Sequence, residues 1–136
     1  MIIAGIDFGQ KRIGLAVSEG SAAYPVTTIE RRSLKHDLEE IRAQLVAREV
    51  SLIVVGLPLN MDGSEGPSAR SARAFAEHLG AAIGVAVEMF DERLTSVEAT
   101  ERLCETSASR TAKKVSRDAV AAAIILEGWL QSRQSQ

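Results

Sequence analysis

Apolar positions along this chain come in two rhythms. Short, compact apolar runs separated by turns fill the first part, and stretches of helical spacing then alternate with further short runs. Ile2, Ile3 and Ile6 make the first run, which is closed by Asp7, and Ile13 to Val17 make the second. Gly9, Gln10 and Lys11 lie between them, so the pattern predicts a hairpin with strands over about 2–7 and 12–18. "YPVTTIE" at 24–30 is rich in Val, Thr and Ile and reads as a third strand. Pro25 near its start predicts an edge position, because proline cannot donate to a sheet ladder.

From Leu34 the period changes. Leu34, Leu38, Ile41, Leu45 and Val46 recur at helical spacing, with Glu39, Glu40, Arg42 and Arg48 on the other face. Leu52 to Val55 is a continuous apolar run of strand length, as expected for a strand covered on both sides. The loop "NMDGSEGPS" follows, and residues 68–79 return to helical spacing through Ala72, Phe75, Ala76 and Leu79, with Gly80 as the expected C-terminal cap. "VAVEMFDE" predicts a fifth strand, and "TSVE" at 95–98 has the capping-box spacing that opens a helix. The last helix is expected from about Ser116 to Ser132; its "AVAAAIILEGWL" is apolar nearly all round, which predicts burial on more than one face. The order β-β-β-α-β-α-β-α-α implies an α/β fold with a five-stranded mixed sheet and helices on both faces.

The bulk numbers narrow the setting. With 136 residues, residues 1–136 are expected to form one domain with a real core. A net charge of -2 excludes a chain that coats nucleic acid by bulk charge, but not one with a local basic surface. The single cysteine, Cys104, cannot form an internal disulfide. With no signal-peptide pattern and no apolar stretch long enough to span a bilayer, the expected location is cytoplasmic, away from membranes.

Asp7 is the residue this pattern does not require: an acid at the end of an apolar strand, followed by Gly9, Lys11 and Arg12. In a mixed sheet of this order the first strand lies centrally, and Asp7 falls near its carboxyl end, where open α/β sheets place their ligand crevice. Asp91 and Glu92 end the fifth strand, and Asp118 enters the first turn of the last helix. Three acids distant in sequence could therefore meet at one rim. Crowded carboxylates repel unless a cation neutralises them, and all-oxygen ligands select Mg²⁺ or Mn²⁺. Such ions activate water and stabilise the leaving oxygen of a phosphodiester. Each acid also has a plainer reading. Asp7 could hold a hairpin turn, Asp91 and Glu92 could simply end a strand, and Asp118 could complement a helix dipole. Glu98 reads as the capping-box partner of Thr95, and His36 and His78 as helix-surface residues.

Cations flank these acids. Lys11 and Arg12 follow Asp7, Arg93 follows Glu92, and Arg110, Lys113, Lys114 and Arg117 precede Asp118. A charge run is ordinarily a solvated face, but here the placement suggests a nucleic-acid groove. In the "GLPLNMDGSEGPSA" loop, Asn60, Ser64 and backbone N–H groups at a helix start could position a phosphate. "DFG" at 7–9 matches the kinase metal triplet, but the chain has no HRD loop. "DFGQKRIG" resembles the phosphate hairpin of actin-like and sugar-kinase ATPases, which need a second domain.

"GIDFGQKRIGLAVS", "VVGLPLNMDGSEGP", "DERLTSVEA" and "RDAVAAAIIL" resemble the successive motifs of the YqgF-like nucleases, also described as Holliday-junction resolvases. The resemblance covers about residues 2–130. It implies a ribonuclease H-like fold, a bacterial cytoplasmic enzyme, and processing of the 5′ end of pre-16S ribosomal RNA. It further implies that Asp7, Glu92 with Asp91 beside it, and Asp118 match the acids that hold metal, with Asp7, Glu92 and Asp118 catalytic. The expected partners are structured RNA (the ribosomal RNA precursor) or branched DNA, with the protein a monomer or homodimer. A DNA-junction resolvase and a nucleic-acid-binding factor without catalysis are the alternatives. Many ribonuclease H-like enzymes carry an acid after the fourth strand; here that position reads "GLPLN", with Asp62 farther along.

Overall fold

A computed structural model describes residues 1–20, 22–95 and 117–134. Five strands, β1 (Ile2–Phe8), β2 (Arg12–Glu19), β3 (Ala22–Glu30), β4 (Val50–Leu57) and β5 (Ala86–Asp91), form one sheet in the order β3-β2-β1-β4-β5. β1 to β3 are antiparallel neighbours, whereas β4 runs parallel to β1 and β5 parallel to β4. The mixed sheet, the central β1 and the edge position of β3 agree with expectation.

Helix α1 (Leu34–Ala47) starts where the Ser33 hydroxyl accepts from the His36 N–H, an N-cap that satisfies an otherwise orphan donor. Its buried stripe is Ile41 and Leu45, whereas Leu34 and Val46, expected on that stripe, are exposed. Helix α2 (Pro67–Ile83) overruns its expected end. Ala81, Ala82 and Ile83 carry it past Gly80, and Gly84, at φ 76°, supplies the left-handed residue that ends it. A single 3-10 turn, Glu92–Leu94, follows β5. Thr95 turns its hydroxyl back onto the Glu92 carbonyl at 2.9 Å. The helix expected from Thr95, with Glu98, lies outside the described residues beyond that point. Helix α3 (Arg117–Gln134) closes the fold.

Strand alternation divides the core in two. Ala4 and Ile6 face α1 and α2, packing with Ile53, Val55, Ile41, Leu45, Phe75 and Leu79. Ile3, Ala16 and Val54 face α3, packing with Ala122, Ala123, Leu126 and Trp129. Helices therefore cover both faces, and α3 is buried along most of its length, as its nearly all-round apolar sequence predicts. No helix among the described residues is long and apolar enough to cross a membrane.

Candidate active site

Asp7 shares the strand face of Ile3, so its side chain lies on the α3 side of the sheet, near the carboxyl end of β1. Its cross-strand partner is Gly14. The backbone of Asp118 presses directly onto that glycine: a Cβ at position 14 would collide with the Asp118 carbonyl oxygen and come within 3.0 Å of the Ala119 nitrogen. The missing side chain lets the start of α3 descend onto the sheet, and Asp118 comes close enough for its charge to act on Asp7. On the other side, the Glu92 carboxylate lies over Gly56 of β4, where a Cβ would stand 2.8 Å from Oε2. Two glycines thus form the floor on which acids from the end of β5 and the start of α3 approach the acid of β1.

The electrostatics follow from this packing. Burial, and then the charge of Asp118, raise the Asp7 carboxyl to about 6. Burial, then the charges of Asp7 and Asp91, raise Glu92 to about 7. Asp7 is the shared member, repelled from both sides. The Arg12 guanidinium stands 3.7 Å from Asp118 Oδ2, bringing a cation to the rim from the first residue of β2.

The oxygen-only donor set and the raised carboxyls suit a hard divalent cation, which would relieve the repulsion that burial intensifies. Among the described residues no three His, Cys, Asp or Glu side chains already stand as a cage. The acids meet as pairs through Asp7.

Asp91 does not join them. The strand points it to the opposite face from Phe90, and Arg93 holds its carboxylate through Nε at 3.1 Å and Nη2 at 2.7 Å, while the Arg93 N–H donates to Oδ1. These bonds keep Asp91 below the ordinary carboxylate range. Of the two adjacent acids, Glu92 is the one at the site, and Asp91 caps the turn that carries it. Asp62 lies in the loop after β4 and accepts from both the N–H and the hydroxyl of Ser64. It supplies no acid at the β4 end of the site.

The expected nucleic-acid contacts divide similarly. Lys11, Arg12 and Arg117 are exposed at the hairpin turn and the start of α3. Arg110, Lys113 and Lys114 lie outside the described residues. Asn60 and Ser64 are engaged with each other: the Asn60 amide donates to the Ser64 hydroxyl at 2.9 Å, and that hydroxyl donates to Asp62. They hold the loop in shape, and the one hydroxyl hydrogen of Ser64 is committed to Asp62. Arg93 is a clamp as well, its Nη1 donating to the Met61 carbonyl at 3.2 Å while its other nitrogens hold Asp91.

Sequence reasoning missed Arg31. Its Nη1 donates to the carbonyls of Gly9 and Gln10 at 2.9 and 3.1 Å, and its guanidinium lies 4.2 Å over the Phe8 ring. Phe8 in turn stacks on Phe75 of α2. The hairpin turn following Asp7 is thereby tied to β3 and α2. No motif marks this role: Arg31 stands in the short segment between the third strand and the first helix, with no spacing that ties it to the hairpin. In the sequence Gly14 reads as a strand residue and Gly56 as the start of the loop after the fourth strand, whereas β4 runs on through Gly56 to Leu57.

The family model described as "RuvX: Holliday junction resolvase" matches residues 1–132. A protein of Myxococcus xanthus named "Putative pre-16S rRNA nuclease" is 48% identical over 132 residues, covering 96% of this chain and 87% of the relative. One of the same name from Anaeromyxobacter sp. (strain K) is 53% identical over 131 residues, covering 95% and 96%. Among solved structures, the T. thermophilus RuvC in complex with a Holliday junction substrate superposes with a TM-score of 0.67 at 16% identity, over 100% of this chain and 97% of that one. The fowlpox virus Holliday junction resolvase superposes at 0.57 with 11% identity, over 97% and 99%. At those identities the structural likeness concerns the fold, which is ribonuclease H-like.

Proposed function

The chain belongs to the RuvX family, and on that premise we propose that it is a divalent-metal-dependent nuclease that trims the 5′ end of the pre-16S ribosomal RNA in the cytoplasm. The observation that carries the reading is the convergence of Asp7, Glu92 and Asp118 from three elements onto one rim, with Asp7 and Glu92 raised to about 6 and about 7 by burial and mutual repulsion. A structural role would not require three acids to crowd at the end of a central strand. The names of the curated relatives supply the RNA substrate.

Asp7, Glu92 and Asp118 would hold Mg²⁺ or Mn²⁺, which when bound activates water and stabilises the leaving oxygen of a phosphodiester. Asp7 contributes the most rigid oxygen, because β1 is paired on both sides. Glu92 reaches across Gly56 from a turn that Asp91 and Arg93 hold in place. Arg12, Lys11 and Arg117 offer charge to the phosphates on either side of the scissile bond. The family description favours a second reading, resolution of four-way DNA junctions.

Incubation of purified protein with precursor ribosomal RNA and with four-way DNA, each with Mg²⁺ or Mn²⁺, decides between them. Cleavage near the 5′ end of the RNA supports the first reading and paired nicks in the junction support the second. Binding to either without cleavage under any divalent metal would leave a binding factor and overturn both.

A further inference from the structure

The end of the sheet opposite Asp7 carries a cleft of about 270 Å³. Strand alternation puts its side chains on the α1 face: Ile2 packs with the core of that face, Glu19 is the cross-strand partner of Ile2, and Tyr24 that of Val17. Ser18 lends only its backbone, because its side chain alternates to the α3 side with its partner Ile3. Arg48, the residue that ends α1, completes the lining. Five residues of β1 separate Ile2 from Asp7, about 17 Å along the strand, so the cleft is distinct from the acidic rim.

Two backbone irregularities flank it. Leu15 pairs with Thr27 and Ala16 with Pro25, which leaves Val26 as the extra residue of a bulge, and Val26 lines the cleft. Glu49, directly after Arg48, takes φ 57°, the one non-glycine in the left-handed region among the described residues. A helix end usually places glycine there. The polar groups of the cleft are also unmatched. Arg48 Nε is buried and finds no acceptor in the protein, an arrangement that folded chains largely avoid. Glu19 lines the same cleft, yet the two opposite charges form no ion pair with each other. The remaining walls are apolar or aromatic: Ile2, Val17, Val26 and the exposed Tyr24.

Apolar walls beside an aromatic residue suit a flat ring. An unmatched donor and an unmatched carboxylate in one cleft suit a ring that carries both acceptors and N–H groups. Among the four bases, guanine sets two N–H donors side by side, matching the two oxygens of a carboxylate. Its neighbouring O6 and N7 are the acceptors that arginine most often reads. We propose that this cleft is a guanine subsite: Arg48 donates to O6 and N7, Glu19 accepts from the ring N–H and the exocyclic amine, and Tyr24 packs on the ring. A free guanine nucleotide and an unpaired guanine in an RNA strand share this chemistry. The subsite stands apart from the nuclease reading, since none of its residues belongs to the rim.

The test titrates the full chain, in EDTA so that no cutting occurs, with GMP and AMP and with short oligouridines holding one guanine or one adenine. Calorimetry reads the affinities. GMP, the guanine RNA or both should bind saturably, about tenfold more tightly than the adenine counterpart. The phosphates are common to each pair, so the difference reports the base. Glu19→Gln should abolish the preference, because an amide offers one acceptor where the carboxylate offers two. Arg48→Ala should weaken guanine binding about tenfold. Glu19 is exposed, so Glu19→Gln keeps the fold and suffices by itself if Arg48→Ala does not fold. Binding of GMP alone supports the subsite with a free nucleotide as its source, and binding of the RNA alone supports it with a strand. No saturable binding of either, equal binding of guanine and adenine, or a preference that survives Glu19→Gln overturns the proposal.

Discussion

Gly14 carries no side chain at the point where the Asp118 backbone crosses β2, and a Cβ there would collide with the Asp118 carbonyl oxygen. Because Gly14 is also the cross-strand partner of Asp7, this one absence sets how closely two acids of the site approach. Gly14→Ala must push the start of α3 outward. The expected result is a loss of roughly 1–3 kcal/mol in stability, the usual cost of overpacking, with a larger proportional loss of metal-dependent cleavage. Melting temperature and cleavage rate measured together check this. A folded variant with normal cleavage would show that the close approach is not needed.

Asp7→Asn keeps the shape and removes the charge at the centre of both repulsive pairs. Cleavage should be abolished while nucleic-acid affinity holds, and the metal-free protein should melt higher than the parent. Added Mg²⁺ should raise the melting temperature of the parent and not of the variant. Normal cleavage by a folded Asp7→Asn protein would remove Asp7 from the metal site.

The two raised carboxyls make the stability of the metal-free protein depend on pH. Asp7 and Glu92 are raised to about 6 and about 7 when folded, against ordinary values of 3.8 and 4.5 for free side chains. Between those limits the folded state binds more protons than the unfolded state. The stability these groups allow is therefore fully present below about pH 4 and is lost as pH rises through 6 and 7. In EDTA, the melting temperature of the parent should fall relative to Glu92→Gln between about pH 5 and 8, and Mg²⁺ should reduce the fall. Parallel curves for the two proteins would contradict the burial of Glu92.

Arg93 joins the Asp91 carboxylate to the Met61 carbonyl. If it holds the Glu92 turn and the neighbouring loop, Arg93→Ala should lower kcat more than it raises KM. The change in stability should stay within about 1 kcal/mol because the Arg93 side chain is exposed to solvent. Arg93→Lys should rescue only part, since an ammonium cannot make the forked contact. A pure rise in KM for both variants would instead make Arg93 a phosphate contact.

The element order, the central first strand, the edge position of β3 and the coverage of both faces were legible in the chain, because burial imposes a period of two on strands and of about 3.6 on helices. Asp7 stood out for the same reason, as an acid closing an apolar strand. What adjacency in sequence could not separate was Asp91 from Glu92. Consecutive residues at a strand end point to opposite faces, and only the packing of α3 over Gly56 shows which face holds the site. The loop residues Asn60 and Ser64, and the cation Arg93, have the right chemistry for phosphate, yet in three dimensions each finds a partner within the protein. Hydrogen-bond donors of one type look alike in a sequence; whether they are free for a ligand depends on what the fold places within about 3 Å of them. Helical periodicity also set α2 without locating its end, which Gly84 decides through a backbone angle that Gly80 does not adopt.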